Sequence, residues 1–362
     1  MLSNKPLRAL LLALAGLALL AGLWTGLLRI GWNWSGLLYL APVGHGPLMV
    51  SGFLGTLILL ERAVAIARRW AYLGVAVNGL GGLLIVSGVG RPGGALLLTA
   101  GSLWLVLVVL YILRRQPALH TAAMTAGAAC WLAGNFLWLF GEPFYLVVLW
   151  WAAFLVLTIA GERLELSRAT RLSAAAHRLF MASCLCLVGG LAIQYLSPAI
   201  GWRLAGLAFL ALALWLLLFD IARRTLRVGG LPRYIAWCLL LGYGWLGIGG
   251  LAGLLSGPQA AGVRYDFILH AIFVGFVIGM VFGHAPILLP AILGASLHYT
   301  RLFYLPLMLL HASLLLRLLG DVAGVHAWRA WGGLSNALAI LVFLATVAAS
   351  RFYASRGVVA QG

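Results

Sequence analysis

The sequence predicts an all-α, polytopic membrane protein with about twelve transmembrane helices in three pseudo-repeated groups of four. Composition is the first reason: 64% of the 362 residues are hydrophobic and only 9% are charged, whereas soluble domains average about 25% charged residues. The second reason is a succession of apolar runs long enough to cross a bilayer. The third is the uneven distribution of Lys and Arg between the segments that connect these runs.

Apolar runs of about 20 residues, each bounded by charged residues or by Gly and Pro, define the candidate spans. They are placed near 8–28, 37–60, 70–90, 94–113, 118–140, 143–161, 178–196, 202–222, 231–256, 266–290, 302–319 and 328–350. Spans two and six both finish on a Glu-Arg pair, Glu61-Arg62 and Glu162-Arg163, which hints at a repeat of four spans. All connecting segments are short, so we expect residues 1–362 to form a single transmembrane domain without an extramembrane domain.

The basic residues predict the orientation of the chain. With the N-terminus in the cytoplasm, six of the 24 Lys and Arg residues fall in outer segments and the remaining 18 in inner segments. Basic residues concentrate in cytoplasmic loops, so we expect both termini to be cytoplasmic in a bacterial-type inner (plasma) membrane. The net charge of +17 is therefore a topology signal, and we expect membrane lipid and no nucleic acid as a partner.

Span ten, HAIFVGFVIGMVFGHAPILLP, carries a histidine near each end. Ionisable side chains inside a membrane are costly, and each is by default a functional candidate. On an α-helical wheel of about 100° per residue, His270 and His284 share one face, and Gly275, Gly279 and Gly283 form a small-residue ridge on the other. The two histidines are 14 residues apart. That separation is about 21 Å along a helix, so they cannot bind one metal ion together.

Three histidines on three spans are predicted at a similar level. With the orientation above, His45, His270 and His311 lie roughly 6–12 Å below the outer ends of spans two, ten and eleven. Met49 shares the face of His45, whereas His284 lies near the inner face. Imidazole is a common ligand of haem iron and of copper, and a methionine thioether is a softer partner. The alternative is that each histidine hydrogen-bonds a neighbouring helix and only stabilises packing.

Several classes of function are disfavoured by what the sequence lacks. It has no phosphate-binding loop, no HExxH motif and no Ser/His/Asp set. It has no CxxCH motif, which excludes covalent c-type haem, and its four cysteines lie in apolar stretches that indicate buried, inert thiols. Almost no carboxylate falls near the middle of a span, where proton-coupled transporters usually need one; Asn78 and Asn135, which do not titrate, are among the few polar candidates there.

Twelve spans in groups of four, with histidines on spans two and ten in the outer half, resemble subunit I of the haem-copper oxidases and nitric oxide reductases. The chain resembles more closely the NnrS family, membrane haem proteins linked to nitric oxide metabolism and tolerance of nitrosative stress. The motifs concerned are His45-Gly-Pro-Leu-Met49 and the segment from His270-Ala271 to Gly283-His284. The resemblance implies a haem protein that handles nitric oxide or another diatomic gas.

The chain also departs from these families. NnrS proteins have a second histidine beside the one on span two, where this sequence offers only Met49, and Glu61-Arg62 replaces an Asn-Trp-Thr-Gly-like end of that span. Spans six and seven lack the histidines of the oxidase copper site, and the carboxylates of the oxidase proton channels are missing too. The resemblance therefore does not extend to oxygen or nitric oxide reduction coupled to proton pumping.

Three hypotheses follow. The first is a b-type haem with His45 and His270 as axial ligands and His311 as a further ligand or haem contact, His284 serving a second inner site, a propionate or the structure alone. Under this hypothesis copper is an alternative metal, because the Met49 thioether lies near His45. The electron donor is not identified. The second is a transporter for a small solute or metal ion that uses the glycine-rich span nine. The third is a structural membrane protein without a cofactor, and the sequence leaves open whether any turnover occurs.

Overall fold

Twelve long helices make up most of the described chain, and each coincides with a predicted span. The computed structural model describes residues 5–32, 34, 42–88, 91–167, 171–294 and 297–359, and no strand occurs within these ranges. The prediction of an all-α fold is therefore confirmed. The helices are α1 (Lys5–Arg29), α2 (Pro42–Ile66), α3 (Ala71–Val86), α4 (Arg91–Arg115), α5 (Leu119–Leu139), α6 (Phe144–Leu166), α7 (Ala174–Ile193), α8 (Pro198–Phe219), α9 (Gly230–Ser256), α10 (Val263–Leu293), α11 (Arg301–Ala323) and α12 (His326–Val359).

Among the described residues, eleven helices are long and apolar enough to cross a membrane, and α3 is a shorter apolar helix of 16 residues. A helix satisfies its own backbone hydrogen bonds, which is what a segment in hydrocarbon requires. The chain is thus built as a multi-pass membrane protein. The predicted start of span two, at residues 37–41, lies outside the described residues.

The chain divides into two compact units. The N-terminal unit contains Met1–Thr158 with Ala291–Gly294, and the C-terminal unit contains Ile159–Pro290 with Ala295–Gly362. In the first, α1, α2 and α3 all contact one another, and α3 also packs against α4. In the second, α10 packs against both α9 and α11, and α11 packs against α12.

The small-residue ridge predicted on span ten is a helix-packing surface. A Cβ added at Gly275 would lie 2.5 Å from Trp245 Cβ, and one added at Gly283 would lie 3.0 Å from Cys238 Cβ, both on α9. On the facing helix, a Cβ at Gly249 would lie 2.7 Å from Ile272 Cγ1. The glycines thus bring α9 and α10 into close contact, as small residues do between membrane helices.

A buried ion pair joins the ends of α6 and α8 in the C-terminal unit. Arg163 donates from Nε to Asp220 Oδ2 at 2.6 Å and from Nη2 to Asp220 Oδ1 at 2.9 Å. The backbone N–H of Ala222 also donates to Asp220 Oδ1, at 2.6 Å. Two parallel charge-assisted bonds and a backbone donor compensate this carboxylate for the loss of water.

Candidate functional site

Two of the described helices contain π-helical segments, and each segment follows a candidate ligand. In α2 the π segment Leu48–Gly55 begins three residues after His45, and in α10 the π segment Ala271–Ile278 begins directly after His270. The π-helix is rare and frequently marks functional sites. Its turns are wider than α turns, so each residue advances by less than 100° around the axis. The wheel that placed His270 and His284 on one face assumed a regular α-helix, and it does not describe α10.

Polar side chains support the π segment of α2. Asn78 on α3 donates from Nδ2 to the carbonyl oxygen of Ser51 at 2.8 Å and to Thr56 Oγ1 at 2.8 Å. Thr56 in turn donates to the carbonyl oxygen of Gly52 at 2.6 Å. All of these groups are buried. They give the carbonyl groups of the widened turns hydrogen-bond partners that water cannot supply inside a membrane.

A second layer of the same network reaches α5 and α6. The hydroxyl of Ser51 donates to Asn135 Oδ1 at 2.8 Å and accepts from Trp131 Nε1 at 2.9 Å. Trp151 Nε1 also donates to Asn135 Oδ1, at 3.0 Å. Asn78 and Asn135, which the sequence offered as polar candidates for transport, are therefore committed to holding the π segment in place.

His45 is oriented by α1. Its Nδ1 donates to the carbonyl oxygen of Gly22 at 2.7 Å, because a carbonyl oxygen can only accept. In the neutral ring Nε2 then carries the lone pair, which is the form that ligates a metal. Gly26 makes room for the ring, since a Cβ there would lie 2.7 Å from His45 Cε1 and Nδ1. Met49 packs at Gly22 as well, where an added Cβ would lie 2.7 Å from its Sδ, so the predicted neighbours His45 and Met49 both contact this glycine.

His270 has the same ring state. Its Nδ1 lies 2.8 Å from the carbonyl oxygen of Asp266 and 3.2 Å from Asp266 Oδ1, so Nδ1 is the donor and the lone pair of the neutral ring is on Nε2. The Asp266 carboxylate is itself held by Arg317, which donates from Nε and Nη2 at 2.9 and 2.8 Å. Asp266 is buried and lies in the first turn of α10, where the helix dipole favours negative charge.

His284 repeats the local geometry of His270 near the other end of α10. Its Nδ1 donates to the carbonyl oxygen of Met280, four residues earlier, at 2.8 Å. The neutral ring again places its lone pair on Nε2. The adjacent Gly283 packs on Cys238 of α9. His284 is thus fixed in a form that can ligate a metal, separate from the level of His270.

His311 differs from the other three histidines. Its Nδ1 accepts a hydrogen bond from Trp245 Nε1 at 3.0 Å. An indole N–H can only donate, so the hydrogen of the neutral imidazole is on Nε2. That Nε2 is buried and has no hydrogen-bond partner among the described residues. A ring in this state suits hydrogen-bond donation better than metal ligation through Nε2.

His311 contacts α10 beyond the position of His270. Its Cε1 lies 3.8 Å from the position of a Cβ on Gly279, nine residues after His270. Eight of those nine residues belong to the π segment Ala271–Ile278. The common level expected for these two histidines stays a prediction.

The candidate ligands are divided between the two units: His45 and Met49 belong to the N-terminal unit, and His270, His284 and His311 to the C-terminal unit. Within the ranges that the structure describes, no three His, Cys, Asp or Glu side chains form a group that could hold a metal ion. A haem iron needs fewer protein ligands than such a group supplies, because two imidazoles complete its coordination.

Sequence reasoning missed the partners that orient these rings. Asp266 was given no role, although its position four residues before His270 is the spacing at which helical side chains meet. Trp245 gave no signal, because an indole in an apolar helix looks like ordinary packing. The carbonyl of Gly22 is a backbone group and leaves no trace in the side-chain pattern.

The comparisons with known proteins identify a family. A family model described as a domain of unknown function, DUF8744, matches residues 8–352. Neither the curated proteins nor the solved structures compared with the chain gave a match. Since the family model covers almost the whole sequence, the chain belongs to the DUF8744 family.

Proposed function

We propose that this chain is a haem-binding membrane protein of the NnrS and haem-copper oxidase type, which handles nitric oxide or another diatomic gas, or passes electrons, at a b-type haem. In this proposal His45 and His270 would hold the haem iron. One observation carries the proposal: both rings donate from Nδ1 to a backbone carbonyl, and a π segment begins within three residues after each histidine. Haem ligands commonly have their second ring nitrogen fixed in this way.

The donor set fits an iron porphyrin. Neutral imidazole is the usual protein ligand of haem iron, and a π turn next to each ring is typical of a functional site rather than of ordinary packing. When bound, the haem would supply the redox chemistry, for electron transfer or for a gas. The protein would supply the two imidazole rings, each held by a hydrogen bond at Nδ1.

The remaining candidates take supporting roles in this proposal. His311 is a haem contact that donates from Nε2, in place of the ligand role that its position in the sequence suggested. His284, which also presents Nε2, serves a second inner site or a propionate. Met49 contacts the same glycine as His45, and a methionine thioether is a copper ligand. Copper bound by His45 and Met49 is therefore the alternative to haem iron.

The proposal includes a location. The bias of Lys and Arg toward one set of connecting segments supports an inner (plasma) membrane with both termini in the cytoplasm. His45 and His270 then lie in the outer half of the bilayer, where a gas dissolved in lipid reaches them. The partners are membrane lipid, the gas and an electron donor.

The visible spectrum of the purified protein tests the proposal. Protein from haem-replete cells should show a Soret band and about one iron per chain, and His45→Ala and His270→Ala should each abolish the band, because one lost axial ligand loosens the haem. His326→Ala is the matched control, since His326 is exposed at the first position of α12.

The result that refutes the proposal is a wild-type protein with neither a Soret band nor iron. Iron-free protein that contains copper, lost in His45→Ala and Met49→Leu, would select the copper site instead. If His311→Leu also abolished the Soret band, His311 would be a haem ligand.

A transporter for a small solute or metal ion is the second candidate function. The observation that favours it is the interruption of α-helical hydrogen bonding in α2 and α10. Transporters often form their binding sites where two such helices are interrupted. Uptake by reconstituted vesicles that persists in His45→Ala and His270→Ala, without a haem spectrum, would favour it. If those substitutions changed stability alone, the protein would be structural.

A further inference from the structure

His270 lies beside a carboxylate that is part of a cluster of charged residues. Its Nδ1 faces both the backbone carbonyl oxygen and, at 3.2 Å, Oδ1 of Asp266. Imidazole that donates to a carboxylate gains electron density at the opposite nitrogen, which makes it a stronger ligand. His45, by contrast, has a neutral carbonyl group at 2.7 Å as the partner of its Nδ1.

The orientation of the Asp266 carboxylate is fixed from two other helices. Arg317 on α11 binds it through two parallel hydrogen bonds of 2.9 and 2.8 Å, the geometry in which guanidinium and carboxylate pair most strongly. Arg329 on α12 lies 3.4 Å from Asp266 Oδ2 and 3.2 Å from Asp321 Oδ1. The charge next to His270 is therefore the negative charge of Asp266, opposed by the positive charges of Arg317 and Arg329.

We infer that Asp266 is a positioning residue for His270, and that the Asp266–Arg317 pair sets the reduction potential of the haem that His270 ligates. The inference rests on the proposed function. Negative charge next to the imidazole stabilises the oxidised, more positive iron and lowers the potential. Positive charge on Arg317 partly cancels that effect.

A purely structural role for the cluster makes a different prediction. The same residues connect the outer ends of α10, α11 and α12, and breaking a buried ion pair destabilises a protein whichever partner is removed. A structural role thus gives Asp266→Asn and Arg317→Gln the same outcome, lower stability. The electronic role gives them opposite outcomes in potential.

The test is a spectroelectrochemical titration of haem-loaded protein in nanodiscs. Asp266→Asn should shift the midpoint potential to more positive values, and Arg317→Gln should shift it to more negative values, with the Soret band retained in both. Arg264→Gln is the matched control, because Arg264 belongs to the same helical turn as Asp266 but is exposed to solvent; its potential should equal that of the wild type.

Equal potentials in the three variants, or shifts of Asp266→Asn and Arg317→Gln in the same direction, would overturn the inference. If Asp266→Asn does not fold, the sign of the Arg317→Gln shift decides, and Asp266→Glu should restore a potential near that of the wild type. A wild-type protein without a haem spectrum would refute the proposed function itself. A haem-loaded protein whose potential ignores Asp266 would refute this inference alone.

Discussion

Gly26→Ala tests the placement of His45 most directly, because the substitution acts on the ring without removing it. The added Cβ would lie 2.7 Å from His45 Cε1 and Nδ1, whereas carbon atoms in contact are separated by about 3.5–4.0 Å. The ring must therefore retreat by about 1 Å, and overpacking of this kind costs about 1–3 kcal/mol. Loss of the bond to the Gly22 carbonyl adds about 0.5–1.5 kcal/mol.

The matched control is Gly16→Ala on the same helix, where an added Cβ meets nothing within 4 Å. Alanine in a helix is favoured over glycine by roughly 0.5–1 kcal/mol, so this variant should be as stable as the wild type or slightly more stable. Thermal unfolding in detergent and the ratio of haem to protein are the two measurements. Gly26→Ala should have a lower unfolding temperature and a lower ratio of haem to protein than Gly16→Ala. Equal stability and equal haem content in the two variants would show that α1 does not position His45.

Two further predictions concern the framework around the site. Arg163→Ala should destabilise the protein by about 3–5 kcal/mol in detergent unfolding, because it leaves the buried Asp220 carboxylate without its partner. Adding Asp220→Asn removes the unpaired charge and should recover part of that loss. No recovery in the double variant would contradict this explanation. Asn78→Ala should lower the free energy of unfolding by about 1–3 kcal/mol, because it leaves the Ser51 carbonyl oxygen and Thr56 without their donor. The control Ser87→Ala removes an exposed hydroxyl at the end of α3 and should change stability little. Equal effects of the two substitutions would count against support of the π segment by Asn78.

The fold could be predicted from the sequence because hydrophobicity alone decides it. A run of about 20 apolar residues has few alternatives to a membrane helix, and Gly275 and Gly283 of span ten do pack on α9. The π segments themselves could not be predicted. They depend on hydrogen bonds from distant residues such as Asn78, which reach Ser51 only after α2 and α3 have packed.

The candidate site was predicted less completely than the fold. Residue type and depth selected His45, His270, His284 and His311 as the ionisable groups of interest and separated only His284, near the inner face, from the other three. What distinguishes them is the partner of Nδ1, a carbonyl oxygen for three rings and an indole N–H for His311. Counting residues along the chain also could not predict that His311 packs beside Gly279 of α10.

The buried ion pairs have a consequence for the biosynthesis of the protein. Arg163 is separated from Asp220 by 57 residues, and Asp266 from Arg317 by 51. At a synthesis rate of about 5–20 residues per second, the first member of each pair waits roughly 3–10 s for its partner. The two residues that wait are Arg163, in the last turn of α6, and Asp266, in the first turn of α10. At these positions each can stay hydrated until its partner is synthesised, so insertion helix by helix does not require either charge to be unpaired in the hydrocarbon.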